Sequence, residues 1–350
     1  MKPWYGFILL VLTAQFCFGQ KKADEMNTSV HVFDVRVNEY VEVGINLEYN
    51  TDGNPTFYSS HLETDVCSDG LCKPISITIH WDLLGNFRSY YTDANNALTK
   101  FDHVELTKAD HEKLHEILSD TSSILRDYNV EDMIDTTTKL QSHKLDAITG
   151  ATSKTFDGAT VEGALYTVYT LWHFTNGDVR KKILHHTESL VNDSFVNYML
   201  HSNDRDYTSF IFKNMNEEQI NKFLPDILEL VGNKDDYIPH FALAHLDEAS
   251  LSNSNIQHRL IGYISKVSSH VQNALLDKLS NAKLDMKSLE FLMNSLHDIH
   301  GLQITKAFSL LDNNKSSLNN NLINQLKGLS KSEVKEISRG AKSLLNKVNH

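Results

Sequence analysis

Apolar and polar residues alternate through the first third of the chain. VHVFDVRV (30–37) and YVEVGINLEY (40–49) each switch character at nearly every step. ISITIHWDLLGNFRSYY (75–91) does so twice, interrupted by Leu84-Gly85-Asn86. Alternation with a period of two predicts strands with one face in a core, and the Gly-Asn break predicts a turn between two of them. A different period then takes over. Residues 108–119 place Leu114, Ile117 and Leu118 on one side, and Thr107 stands where a helix cap belongs. A second helix is expected at about 155–175 from Val161, Leu165, Val168 and Leu171-Trp172, stopped by Asn176-Gly177. Together these segments predict an α+β domain over 29–176.

From 177 to 350 helical spacing runs almost without interruption, and prolines are confined to Pro225 and Pro239. NDRDY at 203–207 returns as NKDDY at 233–237, an offset of 30 residues, and each copy leads into an apolar stretch (TSFIFKNM and IPHFALAHL). A recurrence of this length predicts an all-α region built as a HEAT-like solenoid or a helical bundle. A last helix over about 331–347, with Val334, Ile337, Ala341, Leu344 and Leu345 as its stripe, would close it. The 350-residue length agrees with about two domains.

The first nineteen residues stand apart. Lys2, the apolar run FILLVLTA (7–14) and the small residues Cys17 and Gly19 around Phe18 predict a cleaved secretory signal with the mature chain starting at Gln20. The run falls short of the roughly 20 residues that span a bilayer. An extracytoplasmic location, such as a periplasm, follows as the expectation. Net charge is −12. It argues against nucleic acid as a general partner and against docking to an anionic membrane by overall charge. Beyond the signal only Cys67 and Cys72 remain, around the turn pair Asp69-Gly70. In an oxidising compartment they are expected to form a disulfide, either a structural clip or a redox-active pair.

The chemistry concentrates in DAITGATSKT (146–155). Gly150 lets a bulky group approach the backbone, Ala151 keeps the next position small, and a helix beginning near Ser153 to Thr155 would aim free N–H groups at an anion. Asp146-Ala147-Ile148-Thr149-Gly150-Ala151-Thr152 resembles the D-x-x-[S/T]-G-A-[S/T] signature of FMN-binding domains, found in the C subunit of the sodium-pumping NADH:quinone reductase and the G subunit of the Rnf complex. The resemblance implies FMN joined to Thr152 by a phosphoester bond. It implies a flavin transferase that makes the bond from FAD with Mg²⁺. Asp146, Thr149, Gly150, Ala151 and Ser153 would form the recognition and phosphate-binding positions. The helical half would then dock a redox partner protein, membrane-bound in the respiratory complexes. The other reading is a scaffold whose flavin-type domain carries no cofactor.

Two further signals compete. His111-Glu112-Lys113-Leu114-His115 has the H-E-x-x-H spacing of zinc proteases. Its charged surroundings (Asp110, Lys113, Glu116) describe a solvated helix face, and no third ligand stands at a suitable distance. Trp81-Asp82 and Tyr90-Tyr91 are candidate platforms for a flavin ring. No acid–base constellation for a substrate stands out, so the chain reads as an electron-transfer module rather than a stand-alone enzyme.

Overall fold

The computed structural model describes residues 28–66, 73–93, 95–100, 103–134 and 154–348. The chain divides into two compact units, Met1–Val179 and Arg180–His350. The first is α+β and the second helical.

In the first unit five strands form one antiparallel meander, in the order β1 (Thr28–Arg36), β2 (Glu42–Tyr49), β3 (Pro55–Thr64), β4 (Ile75–Trp81) and β5 (Phe87–Tyr91). Val43, Ile45 and Leu47 of β2 face the same side as Tyr58 and Leu62 of β3 and Ile75, Ile77, Ile79 and Trp81 of β4, and all are buried. The β4–β5 turn closes on Asp82, whose Oδ1 accepts the backbone N–H groups of Leu84 and Asn86, both at 2.8 Å. β3 is the strand that alternation does not announce. PTFYSSHLET opens on a proline and carries Ser59, Ser60, His61 and Glu63, yet it occupies the centre of the sheet. Tertiary pairing on both sides outweighs its weak intrinsic pattern.

Two helices cover the apolar face. α1 (Lys108–Ser119) has Thr107 as its cap and buries Leu114, Ile117 and Leu118, as its spacing implies. α2 (Leu165–Asn176) packs on α1 and buries Leu165, Val168, Leu171, Trp172 and Phe174. Indole donors tie the layers together. Trp81 Nε1–H donates to the Thr175 carbonyl and Trp172 Nε1–H to the Asp120 carbonyl, each at 2.9 Å. The Asn176 amide donates to the Leu118 carbonyl at 3.0 Å.

α1 begins in a capping box. Asp110 accepts the Thr107 backbone N–H at 2.9 Å and Thr107 Oγ1 accepts the Asp110 N–H. That backbone N–H, together with the Thr107 hydroxyl and the Lys100 ammonium, outweighs burial and holds the Asp110 carboxyl at about 2. A carboxylate with a depressed folded-state value stabilises the fold above its unfolded value near 4, and the contribution disappears as pH falls toward 2. Asp110→Asn is therefore expected to lower stability by about 1 kcal/mol at neutral pH. The deficit relative to wild type should vanish as thermal melts are repeated from pH 4 to pH 2. A deficit independent of pH would mean that packing, not charge, holds the cap.

The second unit is two rows of helices that recur every 30 to 34 residues. One row runs α5 (Arg205–Asn214), α8 (Ile238–Ala244), α11 (Ser269–Leu279), α13 (Leu302–Asn313) and α15 (Lys335–Val348), each packed on the next. The other runs α7 (Leu224–Leu230), α10 (Ser254–Gly262), α12 (Met286–Asn294) and α14 (Asn320–Leu329). α4 (Asp193–Leu200) packs on α5 at the start of the unit, and α14 packs on α15 at the end. The sequence echo falls at neighbouring repeats, although the aspartates that meet the helix starts are 31 residues apart and the helices themselves begin 33 apart. Asn233 donates to Asn203 Oδ1 at 3.2 Å, and the Arg205 guanidinium lies 4.2 Å from the Tyr237 ring centre. Asp204 and Asp235 each accept two backbone N–H groups where the helix that follows begins.

Buried amides stitch later repeats together. Gln257 on α10 donates to the carbonyls of Leu251 and Lys283 and accepts from the Asp285 N–H and the Ser288 hydroxyl. Asn314 donates to the Ala282 and Leu310 carbonyls and accepts the Leu284 N–H at 2.9 Å. Gln303 donates to the Ser269 carbonyl. In α15, Ile337, Ala341 and Leu344 are buried as expected, whereas Val334 lies outside the stripe and is 38% exposed. It precedes the helix, where the chain has not yet turned toward the neighbouring row.

Candidate functional site

The positions that carry the flavin expectation, Asp146, Thr149, Gly150, Ala151, Thr152 and Ser153, lie outside the described residues, as do Cys67, Cys72 and the signal segment. The structure defines the two ends between which residues 135–153 run. On the upstream side, a turn of 3-10 helix over Val130–Met133 buries Met133. On the downstream side a short 3-10 turn, Lys154–Phe156, buries the Phe156 ring against Tyr128, edge to face at 5.1 Å. Lys113 of α1 donates to the Asp157 carbonyl at 2.6 Å. Both ends are thus fixed to the helical layer of the first unit.

The helix expected to start beside the motif starts later. After Phe156 the chain turns, with the Ala159 N–H and the Thr160 hydroxyl both donating to the Phe156 carbonyl. Gly163 then takes φ +74, a left-handed conformation that a continuing helix of L-residues does not hold. α2 begins only at Leu165, with Ala164 at its cap position and no side-chain cap bond. Val161, expected on the helix, is buried in this turn. α2 therefore begins thirteen residues beyond Thr152 in the chain, later than expected, and only the short 3-10 turn Lys154–Phe156 stands where its start was expected.

Near the two ends lies a set of rings. Tyr169 and His173 of α2 meet at a tilt with ring centres 4.2 Å apart, His173 meets Trp172 edge-on at 5.1 Å, and His173 Nε2 lies 2.9 Å from the Leu125 carbonyl. Burial lowers the His173 pKa, so the ring is neutral at pH 7. Burial, and then the nearby carboxylates Glu131 and Asp132, raise the Tyr169 phenol. Of the platforms suggested by sequence, Tyr91 is exposed, whereas Trp81 and Tyr90 are engaged elsewhere. Trp81 is fully buried between sheet and α2, and the Tyr90 hydroxyl lies 2.7 Å from His111 Nδ1.

That second contact also places the H-E-x-x-H residues. His111 is half-buried and His115 is exposed. They hold α1 to β5, His111 through Tyr90 and His115 through the Arg88 carbonyl at 3.1 Å, with Phe87 edge-on to the His115 ring. Burial lowers the His111 pKa and raises that of Tyr90, so both are neutral partners at pH 7. Among the described residues no group of three or more His, Cys, Asp or Glu side chains is arranged to hold a metal ion.

The opposite face of the sheet carries polar groups that sequence reasoning passed over. Glu48 accepts the hydroxyls of Ser29 at 2.8 Å and Ser59 at 2.6 Å. His80 sits between Phe57 and Tyr91, with ring centres at 4.9 and 5.1 Å. Burial lowers the His80 pKa, against a raising effect from Glu48. Ser59 gives its proton to a carboxylate rather than to an imidazole, so this row is not a nucleophile–base pair. The period-two register could have found it, since Ser59 and His80 are cross-strand partners.

No family model, curated protein or solved structure matches the chain.

Proposed function

We propose that the first unit is a flavin-binding module, exported from the cytoplasm, that carries FMN covalently on Thr152, and that the second is a HEAT-like solenoid that docks its redox partner. The observation that carries the reading is the signature Asp146 to Thr152 itself, in a segment whose two ends are anchored on the helical layer of an α+β unit. Tyr128, Phe156 and Tyr169 bring aromatic surface to those ends, which suits a flavin ring. For the phosphate the described residues offer less. The nearby acids are Asp127, Glu131 and Asp132, the nearby cations Arg126 and Lys113 are engaged by Asp127 and the Asp157 carbonyl, and the N-terminus of α2 lies further along the chain. The phosphate would be held by the motif's own residues, with Thr152 as the bonded oxygen and Thr149, Gly150, Ala151 and Ser153 as its surroundings. Asp146 would orient the loop or help bind the transferase's Mg²⁺. Once attached, the flavin supplies electron transfer, and the chain's part is to hold it and to recognise a partner.

A scaffold without cofactor is the second reading, favoured by the ladder of buried amides that makes the helical unit a rigid surface irrespective of any flavin. Whole-protein mass separates the two. After co-expression with a flavin transferase, the mature chain is expected to gain the mass of one FMN less one water, because the Thr152 oxygen replaces the AMP of FAD on the phosphate. An unmodified chain, from cells in which the transferase labels a known substrate, supports the scaffold.

A further inference from the structure

The chain's acidity is unevenly placed. Residues 180–350 contain 20 Lys and Arg against 19 Asp and Glu, so they carry +1 and the first 179 residues carry −13, which together give the net −12. Within the helical unit the cations gather at its last repeat. Lys327, Lys331, Lys335, Arg339 and Lys342 are all exposed, and none pairs with a described carboxylate. Glu333 and Glu336 are the acids in the same stretch, which leaves 327–342 with a net charge of +3.

Helix geometry sorts these charges onto one side. At 100° per residue, Lys335, Arg339 and Lys342 of α15 point within an arc of about 60°. The buried Ile337, Ala341 and Leu344 lie on the opposite side, centred roughly 200° away. Lys331 and Lys335 flank the loop between α14 and α15, and the Ser338 hydroxyl donates to the Ser330 carbonyl at 2.7 Å, which holds that loop against the helix. Exposed Val334 sits between the two lysines.

A terminal repeat needs a polar outer face for solubility, and mixed charges satisfy that need. A face of one sign does something more, and we infer that this end of the helical unit is a docking surface for anionic phospholipid. Three features select lipid over other polyanions. Four of the five cations are lysines, which act as mobile point charges rather than as the planar forks that pair with individual carboxylates. No aromatic side chain is interleaved with them to stack on bases. The exposed apolar Val334 lies immediately before α15, between Lys331 and Lys335 in the chain, where it can enter the headgroup layer. Screening confines each interaction to about 10 Å at moderate salt, so the charge that decides is that of the face and not that of the whole chain. The inference is independent of the flavin assignment.

The test is sedimentation of the mature full-length protein with vesicles of phosphatidylglycerol and phosphatidylcholine, or of phosphatidylcholine alone. Each cation beside an anionic surface strengthens partitioning by about fivefold at low salt. Binding is expected to the mixed vesicles only, to fall as salt rises, and to drop by about 100-fold or more in Lys335→Glu/Arg339→Glu/Lys342→Glu. That variant should keep the wild-type circular dichroism and melting temperature, because its side chains lie opposite the buried stripe. If it does not fold, the triple Gln variant replaces it, with a loss smaller than for reversal. Absence of binding to mixed vesicles, equal binding to phosphatidylcholine alone, or wild-type binding by a folded charge variant would each overturn the inference. So would salt-sensitive self-association in place of lipid binding, which would assign the face to a second copy of the chain.

Discussion

Trp81→Ala should remove most of the stability of the first unit. Trp81 is fully buried, meets Phe174 edge to face at 5.7 Å, and joins the sheet to α2 through its bond to the Thr175 carbonyl. Truncating a buried Trp costs about 3–5 kcal/mol through lost transfer energy and the cavity left behind. A domain has roughly 5–15 kcal/mol in total, so the loss is a large fraction of it. Trp81→Phe keeps most of the volume and loses the donor, and should cost about 1–2 kcal/mol. Hydrogen exchange localises the effect. Protection in β3, β4 and α2 should collapse in Trp81→Ala, while α10 to α13 keep theirs. A change below about 1 kcal/mol by urea unfolding would mean that sheet and α2 do not share one core.

The second large effect belongs to the helical unit. Gln257 of α10 is 1% exposed and makes four hydrogen bonds, two as donor and two as acceptor, to Leu251 before α10, to the segment leading into α12 and to Ser288 in α12. Gln257→Leu preserves much of the volume but strands the carbonyls of Leu251 and Lys283 and the N–H of Asp285. Each buried polar group left unsatisfied costs about 1–3 kcal/mol, so a loss of about 3 kcal/mol or more is expected. Ser288→Ala made in the Gln257→Leu background should add little, because the shared bond is already gone. Additive losses would show that the two side chains act separately. A near-neutral Gln257→Leu would show that the amide merely fills space.

Legibility in the sequence followed how local the determining interactions are. α1 was readable because its cap, its apolar stripe and its end all lie within 107–120. The β4–β5 turn was readable because Asp82 and Gly85 act on their own neighbours. β3 was not, because what makes it a strand is β2 on one side and β4 on the other. The start of α2 was misplaced because Val161 fits the helical period, while Gly158 and Gly163 and the Thr160 side chain turn the chain first. In the helical unit one echo was visible at an offset of 30, although the rows continue to α15. The later repeats keep the role of a buried amide but change its position and type, from Gln257 to Gln303 to Asn314, and their spacing drifts between 30 and 34. A fixed-offset comparison of residue identities does not see that. The candidate flavin site remains a statement of the sequence, since 135–153 lies outside the described residues. The structure adds the anchored ends and moves the start of α2 to Leu165.

Thr152 decides the central claim. Wild type, Thr152→Ala and Thr149→Ser are expressed together with a flavin transferase and run on a denaturing gel under ultraviolet light. Fluorescence is expected to stay with the wild-type band and with Thr149→Ser, where a hydroxyl is kept. It should be absent from Thr152→Ala, whose thermal melt should match wild type within about 0.5 kcal/mol. Fluorescence that persists in Thr152→Ala, or a dark wild-type band beside a labelled control substrate, would contradict the account.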